Sequence, residues 1–263
     1  MLTDAEKDQY ISNVLVANFK PIIKSNVHAS IFDYDLKLKV CTDMSAQSIG
    51  FSSWREVENI SYMDYNNPTV MEKVFGTFYS EQNKPLLISH AQRIIQLQKY
   101  SLSTGAIIYF IDLLPYNNIF TSFMVTILPI YHDSGEIVAL QLISVETKFF
   151  NFQDFLSNDG IFTLKTSSVK LTEREDEVIF LLANNITQER IGQLLKISRS
   201  TVAGCINQLC LKFNIAGSNT KLLSELATKY GYHTSVPKSL WKPSIIILDE
   251  QIAQLITGNL EQE

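Results

Sequence analysis

Leu171–Asn214, LTEREDEVIFLLANNITQERIGQLLKISRSTVAGCINQLCLKFN, and Asn219–Tyr232, NTKLLSELATKYGY, decide the fold of the C-terminal half. Thr172-Glu173-Arg174-Glu175 is a capping box, in which a Thr caps the helix and the Glu three residues on reaches back to the cap backbone. Val178, Ile179, Leu181 and Leu182 give that helix an apolar face, and Asn184-Asn185 end it. Thr187 restarts a helix through Ile191, Leu194 and Leu195. Ser198 caps a third, in which Val202, Ile206, Leu209 and Phe213 recur at i, i+4, i+7 and i+11. That spacing confines the four side chains to a narrow arc, so they are expected to pack on the first two helices. The opposite arc carries Ser200, Ala203, Gly204 and Asn207, small and polar residues suited to a face that approaches something closely. The expectation is three short helices with a fourth behind them, arranged to set one helix into the DNA major groove.

The stretch resembles the LuxR/FixJ-type helix-turn-helix of bacterial transcription factors. The pattern Leu171-Thr172-x-Arg174-Glu175-x-Glu177-Val178, then Ile191-Gly192 with Leu194 or Leu195, then Ile197-Ser198-x-x-Thr201-Val202, is similar to that family's signature. The resemblance covers about a quarter of the chain. Where the family usually has a Lys after the Thr-Val pair and a His two further on, this chain has Ala203 and Cys205. The resemblance implies a recognition helix in the major groove. The residues expected to reach DNA are Arg199, Ser200, Thr201, Ala203, Gly204 and Asn207, with Lys196 and Lys212 toward the phosphates. Asn pairs bidentately with adenine, and Ala or a Thr methyl meets a thymine methyl. Val202 is assigned to the core. Gly204 in mid-helix costs about 1 kcal/mol relative to Ala, and close backbone approach to DNA is one reason to keep it.

Charge is divided along the chain. The net charge is −5, yet Lys165–Ser235 holds nine Lys/Arg against six Asp/Glu, a balance of +3, which leaves −8 elsewhere. A basic module attached to an acidic one fits a partner carrying phosphates. The 46% hydrophobic and 19% charged fractions are those of a folded protein, and 263 residues make more than one domain the expectation. The three cysteines, Cys41, Cys205 and Cys210, show no metal-ligand spacing and fit a reducing cytosol. No signal peptide and no membrane-spanning run is legible, so a cytoplasmic protein is expected.

The first half reads as α+β. A helix over residues 1–24 carries Tyr10, Val14, Leu15 and Phe19 on one side and breaks at Pro21. Short β-like runs follow at His28–Phe32 and Leu36–Val40, joined across Asp33-Tyr34-Asp35, then a small-residue helix from Met44 to Phe51. Asn66-Asn67-Pro68 reads as a loop. A longer helix is expected over about Leu86 to Tyr100, with Leu87, His90, Ile94 and Leu97 on one stripe. Strands are expected at Ile107–Leu113, Thr121–Tyr131 and Ile137–Thr147, the last two joined by a hairpin at Asp133-Ser134-Gly135-Glu136. This run resembles a PAS domain: Phe32–Leu36 through Ser45-Ala46-Gln47-x-x-Gly50-Phe51-Ser52 is similar to the PAS opening hairpin and first helix, and the Asp133–Glu136 hairpin fits its last two strands. The resemblance implies an antiparallel sheet with helices over 25–150, acting as a sensor for a small-molecule ligand or partner.

Residues 151–168 read as a linker, with Asn158-Asp159-Gly160 as a turn, and 169–232 as the all-α, four-helix DNA-binding domain. Residues 233–263 read as an appendage, with Ile245–Leu248 and an amphipathic helix in which Leu248, Ile252, Leu255 and Ile256 share a face. That face needs cover from the sensor domain, the DNA-binding domain or a second subunit. His90 on a helical stripe is read as a hydrogen-bonded His before a haem ligand. Of the aromatics Phe75, Phe78, Tyr79, Tyr109, Phe110, Phe120 and Phe123, most are read as core. Catalytic combinations do not cluster and no glycine-rich phosphate loop appears, so neither an enzyme nor a bound cofactor or metal is expected. The expected partners are double-stranded DNA and a second copy in a homodimer, with no membrane. The alternative is an interaction adaptor whose helix-turn-helix-like bundle no longer binds DNA.

Overall fold

A computed structural model describes residues 2–147 and 169–260; the linker expected over 151–168, with its Asn158-Asp159-Gly160 turn, lies outside the described residues. The chain divides into two compact units, Met1–Thr147 with Lys242–Glu263, and Lys148–Trp241. The fold is mixed α+β, a PAS-like antiparallel sheet unit and an all-α unit.

In the sheet unit the order of strands is β2-β1-β5-β4-β3-β6. They are β1 His28–Asp33, β2 Leu38–Cys41, β3 Ile108–Tyr116, β4 Ile119–Tyr131, β5 Ile137–Thr147 and β6 Ser244–Ile247, and every neighbouring pair is antiparallel. Local chemistry sets each reversal. Asp33 Oδ1 accepts from the N–H groups of Asp35 and Lys37, which closes the β1–β2 turn with Leu36 in the left-handed region. Asn117 and Asn118 both take positive φ between β3 and β4, the conformation of a tight hairpin that Asn tolerates. Gly135 supplies the same freedom between β4 and β5.

Helices α2 Asp43–Ser48, α3 Pro68–Phe75 and α4 Lys84–Thr104 pack on one face of the sheet. Thr42 caps α2. Asn67 caps α3, with Pro68 at its first position, so the Asn66-Asn67-Pro68 stretch starts a helix where a loop was expected. The stripe of α4 buries Leu87, His90, Ile94 and Leu97 as expected, and Ala91, Gln98 and Ser101 beside them. The N-terminal segment begins as α1 Asp4–Tyr10, widens into a π-helical stretch Ile11–Val16 and tightens to a 3-10 turn Lys20–Ile22. Its Ile11 and Phe19 bury against Ala29, Ile31, Val40, Val138 and Ala139 on the other face of the sheet.

The stretch expected as an appendage divides. Leu240 packs on the core of the helical unit, whereas β6 extends the sheet along β3, pairing Ile245 with Asp112 and Ile246 with Ile111. Helix α9 Glu250–Leu260 then buries Ile252 and Ile256 in the sheet unit's core. Leu248 and Leu255, expected on the same covered face, are exposed. The helical unit is therefore joined to the sheet unit at both of its ends, through β5 and β6.

The helical unit contains α5 Glu173–Ala183, α6 Gln188–Leu195, α7 Arg199–Lys212 and α8 Thr220–Lys229. The Thr172–Glu175 capping box is present, Thr187 and Ser198 cap α6 and α7, and Asn184 ends α5. Val178, Ile179, Ile191, Val202, Ile206 and Leu209 close one core; each such side chain removed from water contributes roughly 1.5–3 kcal/mol.

Candidate functional site

The α6–α7 turn places the candidate nucleic-acid face. Lys196 takes a left-handed conformation just after α6 (φ 54°), which reverses the chain before Ser198 caps α7. Gly192 makes the turn tight: a Cβ there would lie 2.9 Å from the Ile197 carbonyl, closer than any side chain tolerates. Ser198 Oγ accepts from the Thr201 N–H and sits 2.7 Å from Ser200 Oγ and 2.8 Å from Thr201 Oγ1.

Most of the expected DNA-facing residues share one open surface. Lys196, Arg199, Ser200, Thr201, Gly204 and Asn207 are exposed, and Ala203 is half-buried at the edge. Among the described residues, neither Lys196 nor Arg199 has an acidic partner. A Cβ built on Gly204 meets nothing within 4 Å, so no internal contact of the described residues requires glycine there. Asn207 Oδ1 accepts from Ser218 Oγ at 2.6 Å, which fixes the amide and leaves its N–H donors outward. Val202 is fully buried, as assigned.

Lys212 differs from this group. Its ammonium lies 2.6 Å from Glu175 Oε2 and donates to the Lys170 carbonyl at 3.1 Å. It thus ties the end of α7 to the capping box of α5. Burial pushes the Glu175 carboxyl upward, but Lys212 and the Thr172 N–H and hydroxyl together hold it below its ordinary value. Cys205 is turned toward α5, its Sγ 3.8 Å from the Arg174 carbonyl, so the departure there lies off the open face. Two residues of that face escaped the sequence reading, Gln208 and Leu211, both exposed, Leu211 to 67%. Completing the helical wheel opposite Val202 and Ile206 would have found them.

The second site is inside the sheet unit. A cavity of about 120 Å³ lies between the sheet and α2, with Phe32, Tyr62, Phe110, Tyr116 and Phe123 among its walls and Asp112 at its floor. An adjoining pocket of about 80 Å³ shares Phe32, Tyr62 and Tyr116. Asp112 is 4% exposed; its Oδ1 lies 2.8 Å from His90 Nε2 and its Oδ2 accepts from Tyr116 Oη at 2.9 Å. Burial first, then the Asp112 charge, pushes the Tyr116 phenol far up, so it stays a donor. His90 is thereby committed to Asp112, the hydrogen-bonded reading. Of the aromatics singled out in the sequence, Phe110 and Phe123 line the cavity and Phe75 is core, whereas Tyr109 is exposed. Among the described residues, no cluster of His, Cys, Asp and Glu is arranged to hold a metal ion, and no helix is long and apolar enough to cross a membrane.

No protein-family model and no curated protein matches the chain. Solved structures do. A ligand- and DNA-bound complex of VqmA from Vibrio cholerae matches with a TM-score of 0.64 at 20% identity, over 89% of this chain and 96% of that one. A phage VqmA–DPO complex matches with a TM-score of 0.53 at 18% identity, over 90% and 99%. At these identities the likeness is one of fold. It spans both units.

Proposed function

We propose that this chain is a cytoplasmic, ligand-responsive transcription regulator of the LuxR type, in which residues 25–150 sense a small molecule and 169–232 bind double-stranded DNA. The carrying observation is the open face of α7. Ser200, Gly204 and Asn207 present small and polar groups without internal need of a glycine, and Lys196 and Arg199, without an acidic partner among the described residues, flank its start. A groove-reading helix needs such a face, with cations at the phosphates and small side chains where the backbone approaches bases. In this reading Lys212 braces the fold, and Lys196 and Arg199 supply the phosphate contacts. The shared fold with a protein solved on DNA supports it.

Two copies are expected to act together, since one module with few phosphate contacts holds a site weakly and two recognition helices span half-sites about one helical turn apart. One surface offered for pairing is the row Ile246, Ile111, Met124 and Val145, aligned across four strands and with Met124 and Val145 substantially exposed. The test is fluorescence anisotropy of the full chain with a pool of random duplex DNA at low salt, followed by selection. Saturable binding that enriches a two-fold related site is expected; no binding at low salt leaves the interaction-adaptor reading in its place.

A further inference from the structure

We propose that the cavity of the sheet unit takes a small amine, one ring with a short substituent in size, seated with its protonated nitrogen on Asp112. The inference rests on the ligand-sensing reading above and specifies the ligand's chemistry.

The first ground is the carboxylate's unused capacity. A carboxylate offers about four acceptor positions. Asp112 uses one on each oxygen, toward His90 and toward Tyr116, so each oxygen keeps a lone pair for an N–H donor in the cavity it lines.

The second ground is charge. Among the described residues, no Lys or Arg lines the cavity. His28, at its rim, is pushed down by burial, against the smaller pull of Glu146, and is therefore neutral near pH 7. His90 Nε2 lies 2.8 Å from Asp112 Oδ1, and its Nδ1 is buried without a hydrogen-bond partner among the described residues. The Asp112 carboxylate is therefore buried with no described Lys or Arg facing it in the cavity. A buried charge of that kind is costly alone; an ammonium or amidinium relieves it, and a carboxylate ligand worsens it.

The third ground is shape. Phe110, Phe123, Tyr62 and Tyr116 present aromatic surface around the acidic floor, the combination that holds cations over ring faces. A cavity of about 150 Å³ admits benzene; the cavity of about 120 Å³ with the adjoining pocket of about 80 Å³, which share Phe32, Tyr62 and Tyr116, suits one ring with a short substituent.

Three matched probes test this on the full chain: benzylamine, benzyl alcohol and benzoate, compared by isothermal titration and by the shift in Tm. Benzylamine should bind at least tenfold tighter than the alcohol, and benzoate not at all. In Asp112→Asn, which keeps the size and an acceptor oxygen, the amine should lose that tenfold preference while the alcohol binds unchanged. Should that variant fail to fold, as judged by circular dichroism, the three-probe comparison on the native chain decides alone. Benzoate or benzyl alcohol binding as tightly as benzylamine overturns the amine assignment and leaves the ligand-sensing reading standing. Binding of none of the three overturns both.

Discussion

The two units carry their candidate sites in opposite places. In the helical unit the helix ends are capped by Thr172, Thr187 and Ser198, the buried Glu175 is tied to Lys212, and the candidate site is what α7 leaves outside. In the sheet unit Asp112, His90, Gln98 and Ser101 are buried, and the candidate site is a recess that reaches into the fold as far as Asp112. A surface reader can be built on a core packed for stability alone. An interior sensor has to place costly groups in its own core, and Asp112 with its two donors is such an investment.

Truncating the apolar core separates the units most strongly. Ile206→Ala should destabilise the helical unit by about 2–5 kcal/mol. The sheet unit should keep its own unfolding transition, seen in chemical denaturation followed by tyrosine and tryptophan fluorescence. A single transition that shifts as a whole would mean that the two units unfold together.

A smaller effect is expected at Lys212. Its partly exposed pair with Glu175 is worth about 1 kcal/mol, so Lys212→Ala should lower stability by that order near pH 7. The pair also sets a pH dependence. A carboxyl held below its unfolded value stabilises the fold fully above about 4.5 and loses that contribution as pH falls through its lower folded value. Wild type should therefore lose more stability than Lys212→Ala between pH 5 and pH 3, measured by urea denaturation across that range. Equal losses would remove the brace.

The smallest effect has the opposite sign. Gly204→Ala should stabilise the helical unit by about 0.5–1 kcal/mol, because nothing obstructs the new methyl and helix propensity favours it. The same variant should bind DNA more weakly if the backbone at Gly204 approaches bases. A gain in stability with unchanged affinity would assign the glycine to tolerance rather than contact.

Most of the helical unit was legible because its signals are local. A cap and its partner lie three residues apart, and the stripe Val202, Ile206, Leu209, Phe213 needs only a period of 3.6. The tie from Lys212 to Glu175 was not legible, because the two lie 37 residues apart, beyond any local pattern. The sheet unit's strands were legible in outline, and its chemistry was not. Asp112 is a single acid in an apolar run, and only the packing of α4 against β3 brings it to His90, 22 residues earlier. The destination of Ile245–Leu248 was likewise hidden, since an apolar run does not say which sheet edge it completes. It pairs beside Asp112, so the chain leaving the helical unit ends against the strand that floors the cavity.

In the proposed function α7 reads DNA with Lys196 and Arg199, not Lys212, at the phosphates. The direct measurement is the slope of log K against log salt for wild type, Arg199→Ala and Lys212→Ala on one duplex. Each lost phosphate contact flattens that slope by about 0.9. That flattening is expected for Arg199→Ala and an unchanged slope for Lys212→Ala; the reverse pattern would contradict this assignment.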